Sequence, residues 1–197
     1  MTRPALRPNN QPAWRAWRLE DSKLHAPFFR TTADSSTFIA ECRHGGAWPK
    51  RCRCGVYYMP TVDRIADLGS VEAEGPKQIG RGHALTLGFP IGQWTATPHA
   101  LIDGERHAEG YRMWKMYVNA QTTAEARQAL GARYQVPVVT GDASPEGRVQ
   151  FETDARQMCR ELSLSATTNT QNLRSIGSLA AGLSSLGGLQ RLTARPR

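Results

Sequence analysis

Long apolar runs are missing from this chain of 197 residues. No segment approaches the ~20 consecutive apolar residues that a membrane-spanning helix requires. The opening stretch, M-T-R-P-A-L-R-P-N-N-Q-P, also lacks the apolar segment of a secretory signal. We therefore expect a protein without a membrane span, located in the cytoplasm, where cysteine thiols stay reduced.

Acidic residues are absent from the cysteine-rich stretch from Cys42 onward and from the C-terminal end of the chain. Neither Asp nor Glu occurs between Cys42 and Met59 or after Glu161, and the formal net charge of the chain is +8. A balance this basic favours polyanionic partners such as nucleic acid or an acidic protein face. Simple solvation of the basic segments accounts for the same pattern, so both interpretations stay open.

Familiar catalytic motifs are also absent. The chain contains no G-x-S-x-G, no H-E-x-x-H and no phosphate-binding loop with its lysine. An acid–base pair of His107 and Glu109, with His99 nearby, is one hypothesis for an active site, and a solvated polar turn is the simpler one. The sequence therefore favours a non-enzymatic protein.

Hydrophobic patterning predicts one α+β domain over residues 12–162, with an antiparallel or mixed sheet and two or three helices. Residues 1–11 are predicted to be a disordered basic arm. Thr122 and Glu125 fit a capping box at the start of the first clear helix. A second helix is predicted at Val149–Leu162. The predicted strands are Ala13–Leu19, Thr37–Cys42, Gly55–Met59, Ile79–Gly88, Gln93–Leu101 and Tyr111–Val118.

Residues 163–197 form a tail rich in Ser, Thr, Gly and Leu. Apolar positions recur in it every three or four residues, which is helical spacing, although several glycines interrupt the pattern. The composition fits a disordered linker or a helix that forms against a partner or a second copy of the chain. The residues proposed to dock are Leu173, Ile176, Leu179, Leu183 and Leu186.

The cysteine-rich stretch A-E-C-R-H-G-G-A-W-P-K-R-C-R-C-G-V-Y-Y offers four metal-binding side chains. Residues i and i+2 of a strand project to one side, so Cys42 with His44, and Cys52 with Cys54, can face a shared point from two strands of a hairpin. Three thiolates and one imidazole suit tetrahedral structural zinc. The alternatives are free thiols, a disulfide from Cys42 to Cys52 or Cys54, and an incomplete ligand set in which His44 faces solvent.

Basic and aromatic residues are interleaved in the same stretch. Aromatic rings can stack on bases while cations contact phosphates, which is typical of single-strand binding. The alternative is that the rings cover the hairpin while the cations are solvated. The residues predicted to contact nucleic acid or a protein partner are Arg43, Trp48, Lys50, Arg51, Arg53 and Tyr57.

The C…H…P…C-x-C-G-V-Y segment resembles that of a family of small uncharacterised actinobacterial and actinophage proteins. W-R-A-W-R-L, H-A-E-G-Y-R-M-W-K-M-Y-V and L-G-A-R-Y-Q-V-P-V-V resemble further pieces of that family in the same order, over about residues 13–139. Tyr58 departs from the family, which usually has alanine there. The resemblance implies a cytoplasmic or virion protein encoded by a phage or its host, and it implies no activity.

Two functions follow from these patterns. The first is a binding protein with a structural metal site that engages nucleic acid, or a host or virion protein, through basic segments. The second is an assembly protein that forms oligomers or joins a virion through its leucine-striped tail.

Overall fold

A computed structural model describes residues 11–26, 32–40, 55–63, 82–96, 104–142 and 144–186. Side-chain surroundings are described for these residues except 93–96 and 166–186. The predicted disordered arm and the predicted cysteine hairpin lie outside the described residues, apart from Gln11, Ala40 and the end of the hairpin from Gly55 onward.

The described part of the chain is an α+β fold with a mixed sheet and two helices, as the sequence predicts. The strands are β1 (Ala13–Glu20), β2 (Lys23–His25), β3 (Thr32–Ala33), β4 (Thr37–Ile39), β5 (Val56–Tyr58), β6 (His83–Ala96), β7 (Arg106–Val118) and β8 (Val138–Thr140). The helices are α1 (Ala124–Tyr134) and α2 (Pro145–Leu186).

The sheet is built around the long hairpin of β6 and β7. Its main order is β3-β2-β1-β6-β7-β4, and the short strands β5 and β8 also pair with β7. All pairings are antiparallel except that of β7 with β8. A bridge between Trp14 and Met59 joins β1 to the residue after β5 and closes the ring β1–β6–β7–β5. The sheet is therefore a small barrel.

Irregularities in pairing bend the hairpin and allow this closure. The register shifts between Leu87 and Gly88, and again between Ile91 and Trp94. At Gly88 a Cβ atom would clash with the backbone oxygen of Arg112, so glycine is required where the two strands approach closely. The predicted break between two strands at 89–92 is wrong, because one strand, β6, continues through these bulges.

Two groups of aromatic side chains pack on opposite faces of the barrel wall. Trp17 and Tyr111 belong to the main buried cluster, in which Phe38 contacts both rings at centroid distances of 5.4 and 5.5 Å. On the other face, Trp14 and Tyr117 contact Phe151 of helix α2 at 5.6 and 4.7 Å. Each face of the sheet is thus covered, which fits the nearly continuous burial of β7.

Helix α1 begins one residue later than the capping-box prediction. Thr123, not Thr122, is the N-cap, and its hydroxyl accepts a hydrogen bond from the amide of Ala126. At the other end of α1, the buried Tyr134 hydroxyl accepts from the amide of Leu24 and donates to the carbonyl oxygen of Ala33. This tyrosine therefore fixes α1 to β2 and β3.

Helix α2 is much longer than predicted. It starts four residues earlier than Val149 and continues past Leu162 to Leu186, so the first part of the serine- and leucine-rich tail is helical. The chain divides into two compact units, Met1–Cys159 and Arg160–Arg197. In the first unit, Phe151, Asp154 and Met158 of α2 are buried. In the second unit, α2 continues with Gly177 and Gly182 inside it.

Candidate functional site

The predicted metal ligands Cys42, His44, Cys52 and Cys54 lie outside the described residues, and so do five of the predicted contact residues, Arg43, Trp48, Lys50, Arg51 and Arg53. Within the described ranges, no group of three or more His, Cys, Asp or Glu side chains is placed to hold a metal ion. The zinc site therefore stays a prediction.

Both ends of the cysteine-rich segment are fixed on the same edge of β7. Ile39, the last residue of β4, lies opposite Gly110, and the amide of Ala40 donates to the carbonyl oxygen of Glu109 at 2.8 Å. Val56, the first residue of β5, lies opposite Ala108. Since β4 and β5 run in the same direction along β7, residues 40–55 leave and rejoin one edge at points about 7 Å apart.

Tyr57 is the one predicted contact residue that the structure describes. It is half-buried in β5, and its ring lies 5.8 Å from that of its cross-strand neighbour His107 at an angle of 38°. His107 is buried, and burial lowers the pKa of its imidazole. Glu109 is half-buried on the same strand, whereas His99 lies outside the described residues. The predicted acid–base pair therefore has one buried and one half-buried member.

A polar network crosses the interior of the barrel next to these residues. The indole nitrogen of Trp17 donates to the hydroxyl of Thr86 at 2.9 Å, and the Tyr111 hydroxyl lies 2.9 Å from the same oxygen. The Tyr111 hydroxyl is also 3.1 Å from the carbonyl oxygens of Ala13 and Thr86. Burial raises the pKa of Tyr111, so this hydroxyl stays protonated and satisfied.

Arg15 lies beside this network without a carboxylate partner in the described part of the chain. Its guanidinium carbon is 4.4 Å from the centroid of the Trp17 ring and 5.9 Å from that of Phe38, and Nη1 donates to the carbonyl oxygen of Tyr57. Burial lowers the pKa of Arg15 from 12.5 to about 10, against smaller opposing effects of Tyr111 and Glu105. The side chain thus remains a cation at neutral pH.

Tyr58 faces the same part of the interior. It is 2% exposed and belongs to the main buried cluster, and its hydroxyl finds no hydrogen-bond partner among the described residues. Burial raises the pKa of this hydroxyl to about 12, against a smaller opposing effect of Arg106. Tyr58 therefore carries a buried O–H donor.

Lys115, Tyr117 and Asp154 form a charged cluster under helix α2 that the sequence patterns do not predict. Lys115 Nζ and the Tyr117 hydroxyl donate to the two carboxylate oxygens of Asp154, each at 2.7 Å. Asp154 is 3% exposed. Burial raises the pKa of Asp154, but hydrogen bonds from Lys115, Tyr117 and Gln150 and the Lys115 charge offset it, and the pKa lies below its ordinary value. Asp154 follows the buried Phe151 by three residues, and this helical spacing is the one feature of the sequence that places both side chains on the same face of the helix.

The tail residues proposed to dock, Leu173, Ile176, Leu179, Leu183 and Leu186, all fall within helix α2. Their side chains lie outside the part whose surroundings are described. Helical backbone at these positions is compatible with the predicted spacing, while their docking stays a prediction.

No family model, curated protein or solved structure matches the chain. The geometry therefore defines the protein only as an α+β fold with a mixed sheet and two helices in its described part. Among the helical residues that are described, none forms a stretch both long and apolar enough to cross a membrane.

Proposed function

We propose that the protein is a non-enzymatic binding protein that engages nucleic acid through its basic cysteine-rich segment, with zinc as a structural ion. One observation carries this proposal: the two ends of residues 40–55 are fixed about 7 Å apart on one edge of β7. The segment is thus attached to the barrel as a closed loop.

Chain connectivity limits how far the first and last cysteines can lie from this edge. Cys42 follows Ile39 by three residues and Cys54 precedes Val56 by two, and an extended chain advances at most about 3.6 Å per residue. Both cysteines are therefore within about 11 Å of neighbouring attachment points. This proximity favours a shared ion, and it also permits a disulfide.

The charge of the loop supports nucleic acid as the partner. Arg43, Lys50, Arg51 and Arg53 lie in a stretch without acidic residues. Neutralising phosphates with such cations releases counterions, so the affinity falls steeply as the salt concentration rises.

A salt titration of binding to labelled single-stranded DNA and RNA tests the partner. Replacing Lys50, Arg51 and Arg53 by glutamine should lower the slope of log K against log salt by about 2 for single strands. The matched control removes three helical cations through Arg127→Gln, Arg133→Gln and Arg160→Gln and should keep the slope. An absence of salt-dependent binding would exclude nucleic acid and leave a protein partner to be sought, whereas equal losses in both variants would exclude the cysteine-rich segment as the binding site.

Elemental analysis tests the ion separately. We expect one zinc per wild-type chain and none in Cys52→Ser/Cys54→Ser. Cys159→Ser is the matched control, because Cys159 is a half-buried cysteine on α2, away in sequence from the cysteine-rich segment, and this variant should keep the metal. Zinc absent from all three proteins would contradict the metal site without bearing on nucleic-acid binding.

The length of helix α2 favours assembly as a second function. Ile176, Leu179, Leu183 and Leu186 are separated by three, four and three residues within a continuous helix. This is the a/d spacing of a coiled coil, so a second copy of the chain is the proposed partner.

Light scattering on the full chain tests this second function. Ile176→Asp/Leu183→Asp should convert an oligomer to a monomer, because charged residues at two a positions disrupt the apolar seam. Ser178→Asp/Ser185→Asp adds the same charge two positions further along each heptad and should leave the oligomer intact. A monomeric wild-type protein would overturn the assembly proposal.

A further inference from the structure

Arg15 and Tyr58 occupy opposed positions on neighbouring strands of the barrel. Trp14 pairs with Met59 in an antiparallel bridge, with hydrogen bonds of 2.8 and 2.9 Å. The next opposed positions in this register are Arg15 and Tyr58, and opposed residues of an antiparallel pair share one face of the sheet. The guanidinium and the phenol thus project from one face at adjacent positions.

One nitrogen of the guanidinium is hydrogen-bonded within the described residues, and another is not. Nη1 donates to the carbonyl oxygen of Tyr57, whereas Nε is buried without a hydrogen-bond partner in the described chain. Nε and Nη2 form the side-on edge that binds a carboxylate or phosphate through two parallel hydrogen bonds. Stacking on Trp17 fixes the plane of the guanidinium and therefore the direction of this edge.

The Tyr58 hydroxyl adds a second buried donor without an acceptor among the described residues. Buried polar groups in folded proteins are nearly always paired, so two neighbouring donors without acceptors indicate an acceptor from outside the described chain. Since one donor carries a positive charge and no carboxylate forms an ion pair with it in the described ranges, an anion satisfies both.

We propose that the side-on edge of Arg15 and the hydroxyl of Tyr58 form a binding site for an oxyanion, a carboxylate or a phosphate group. Arg15 is half-buried, whereas its Nε atom and the Tyr58 hydroxyl are buried, so a ligand enters when the neighbouring side chains move aside. The site uses residues of the barrel wall and depends neither on residues 40–55 nor on helix α2. Its failure would therefore leave the proposed functions untouched.

Calorimetric titration of the full chain with sodium phosphate, and separately with acetate and succinate, tests the site at constant ionic strength held with chloride. We expect at least one oxyanion to bind with a 1:1 stoichiometry and to raise the melting temperature above that in chloride. Tighter binding of phosphate than of acetate and succinate identifies a phosphate group as the ligand, and the reverse order identifies a carboxylate.

Three substitutions separate a built site from general charge attraction. Tyr58→Phe should weaken binding about tenfold through the loss of one hydrogen bond to a charged group. Arg15→Lys should weaken binding at least as much, because lysine lacks the two parallel donors of the guanidinium. Glu105→Gln should tighten binding, because Glu105 is an acid whose charge acts on Arg15.

Arg112→Gln is the matched control, since Arg112 is an exposed cation on β7, and its affinity should equal that of the wild type. Wild-type protein that binds none of the three anions would overturn the proposal. Equal affinities of the wild type and Tyr58→Phe would overturn it as well, because the phenol would then take no part in the site.

Discussion

Lys115 and Arg15 are both cations at least partly removed from water by the barrel, on opposite sides of its wall, and their surroundings differ. Lys115 has a carboxylate at 2.7 Å, and the same carboxylate accepts the Tyr117 hydroxyl. Arg15 has aromatic rings and one backbone oxygen around it. The first cation is neutralised within the fold, whereas no described carboxylate pairs with the second.

The difference separates a structural role from a binding role. A buried ion pair with satisfied hydrogen bonds holds two elements together, and its loss leaves a charge without a partner. A stacked guanidinium with a free edge keeps its binding capacity for a ligand. Replacing members of each cluster should therefore have unequal costs for folding.

Removal of the Asp154 carboxylate should have the largest effect. We expect Asp154→Ala to lower the free energy of unfolding by about 3–5 kcal/mol, because Lys115, whose side chain is only 15% exposed, is left without its carboxylate. Denaturant unfolding measures this. Glu152→Ala is the matched control on the exposed side of α2, where Arg156 lies 3.8 Å away, and it should cost less than about 0.5 kcal/mol.

The double variant Lys115→Met/Asp154→Leu sharpens the same prediction. It removes both charges but leaves the buried Tyr117 hydroxyl without its acceptor, so part of the stability lost in Asp154→Ala should return. A double variant as unstable as Asp154→Ala would show that packing, rather than the unpaired charge, accounts for the loss.

Removal of the Arg15 charge should cost less. Arg15→Met keeps an apolar stem against Trp17 and leaves the Tyr57 carbonyl oxygen without its donor, so we expect a loss of about 1–2 kcal/mol. Thermal or denaturant unfolding measures it. A loss above about 3 kcal/mol would contradict the comparison, since it would indicate that Arg15 is part of an ion pair within the chain.

Stability should also depend on pH through Asp154, the partner of Lys115, and this effect should be smaller. The pKa of Asp154 is lower in the folded protein than its ordinary value near 3.9, so its contribution to stability is present above that value and is lost as the pH falls through the folded pKa. The stability difference between wild type and Asp154→Asn should shrink as the pH falls below about 4. A constant difference between pH 7 and pH 3 would contradict the assignment.

Local patterns were sufficient to predict much of the sheet. Alternation located β1 within one residue of its observed end. The fold class can be predicted from such patterns because each strand is recognised from its own two-residue alternation and from the turn residues that bound it. Barrel closure could not be predicted, because it depends on a bridge between Trp14 and Met59, which are far apart in the sequence.

Bulges explain the errors within strands. Along β7 the pairing skips Trp114, so Met113 lies in the main cluster while Tyr117 contacts Phe151 on the other face. Alternation alone places Met113 and Tyr117 together. A one-residue bulge reverses the faces that follow it, and no residue type in this strand signals the bulge.

The Arg15 and Asp154 clusters were missed for a related reason. Alternation along β1 puts Arg15 on the same side as Trp17, but Tyr58, the position opposed to Arg15, belongs to a strand 43 residues later. Acidic residues usually face water, so the spacing of Asp154 from Phe151 was not a sufficient signal of its burial. Both clusters depend on contacts between distant segments, which a single sequence does not specify.

Parallel unfolding of Tyr58→Phe and Tyr117→Phe in chloride buffer tests most directly whether the two clusters differ as described. Tyr117→Phe removes a hydrogen bond to a carboxylate and should lower the free energy of unfolding by about 1.5–3 kcal/mol. Tyr58→Phe removes a buried donor without a described partner and should leave stability unchanged or raise it. A loss above about 1 kcal/mol in Tyr58→Phe would contradict the account, because the phenol would then be satisfied within the fold.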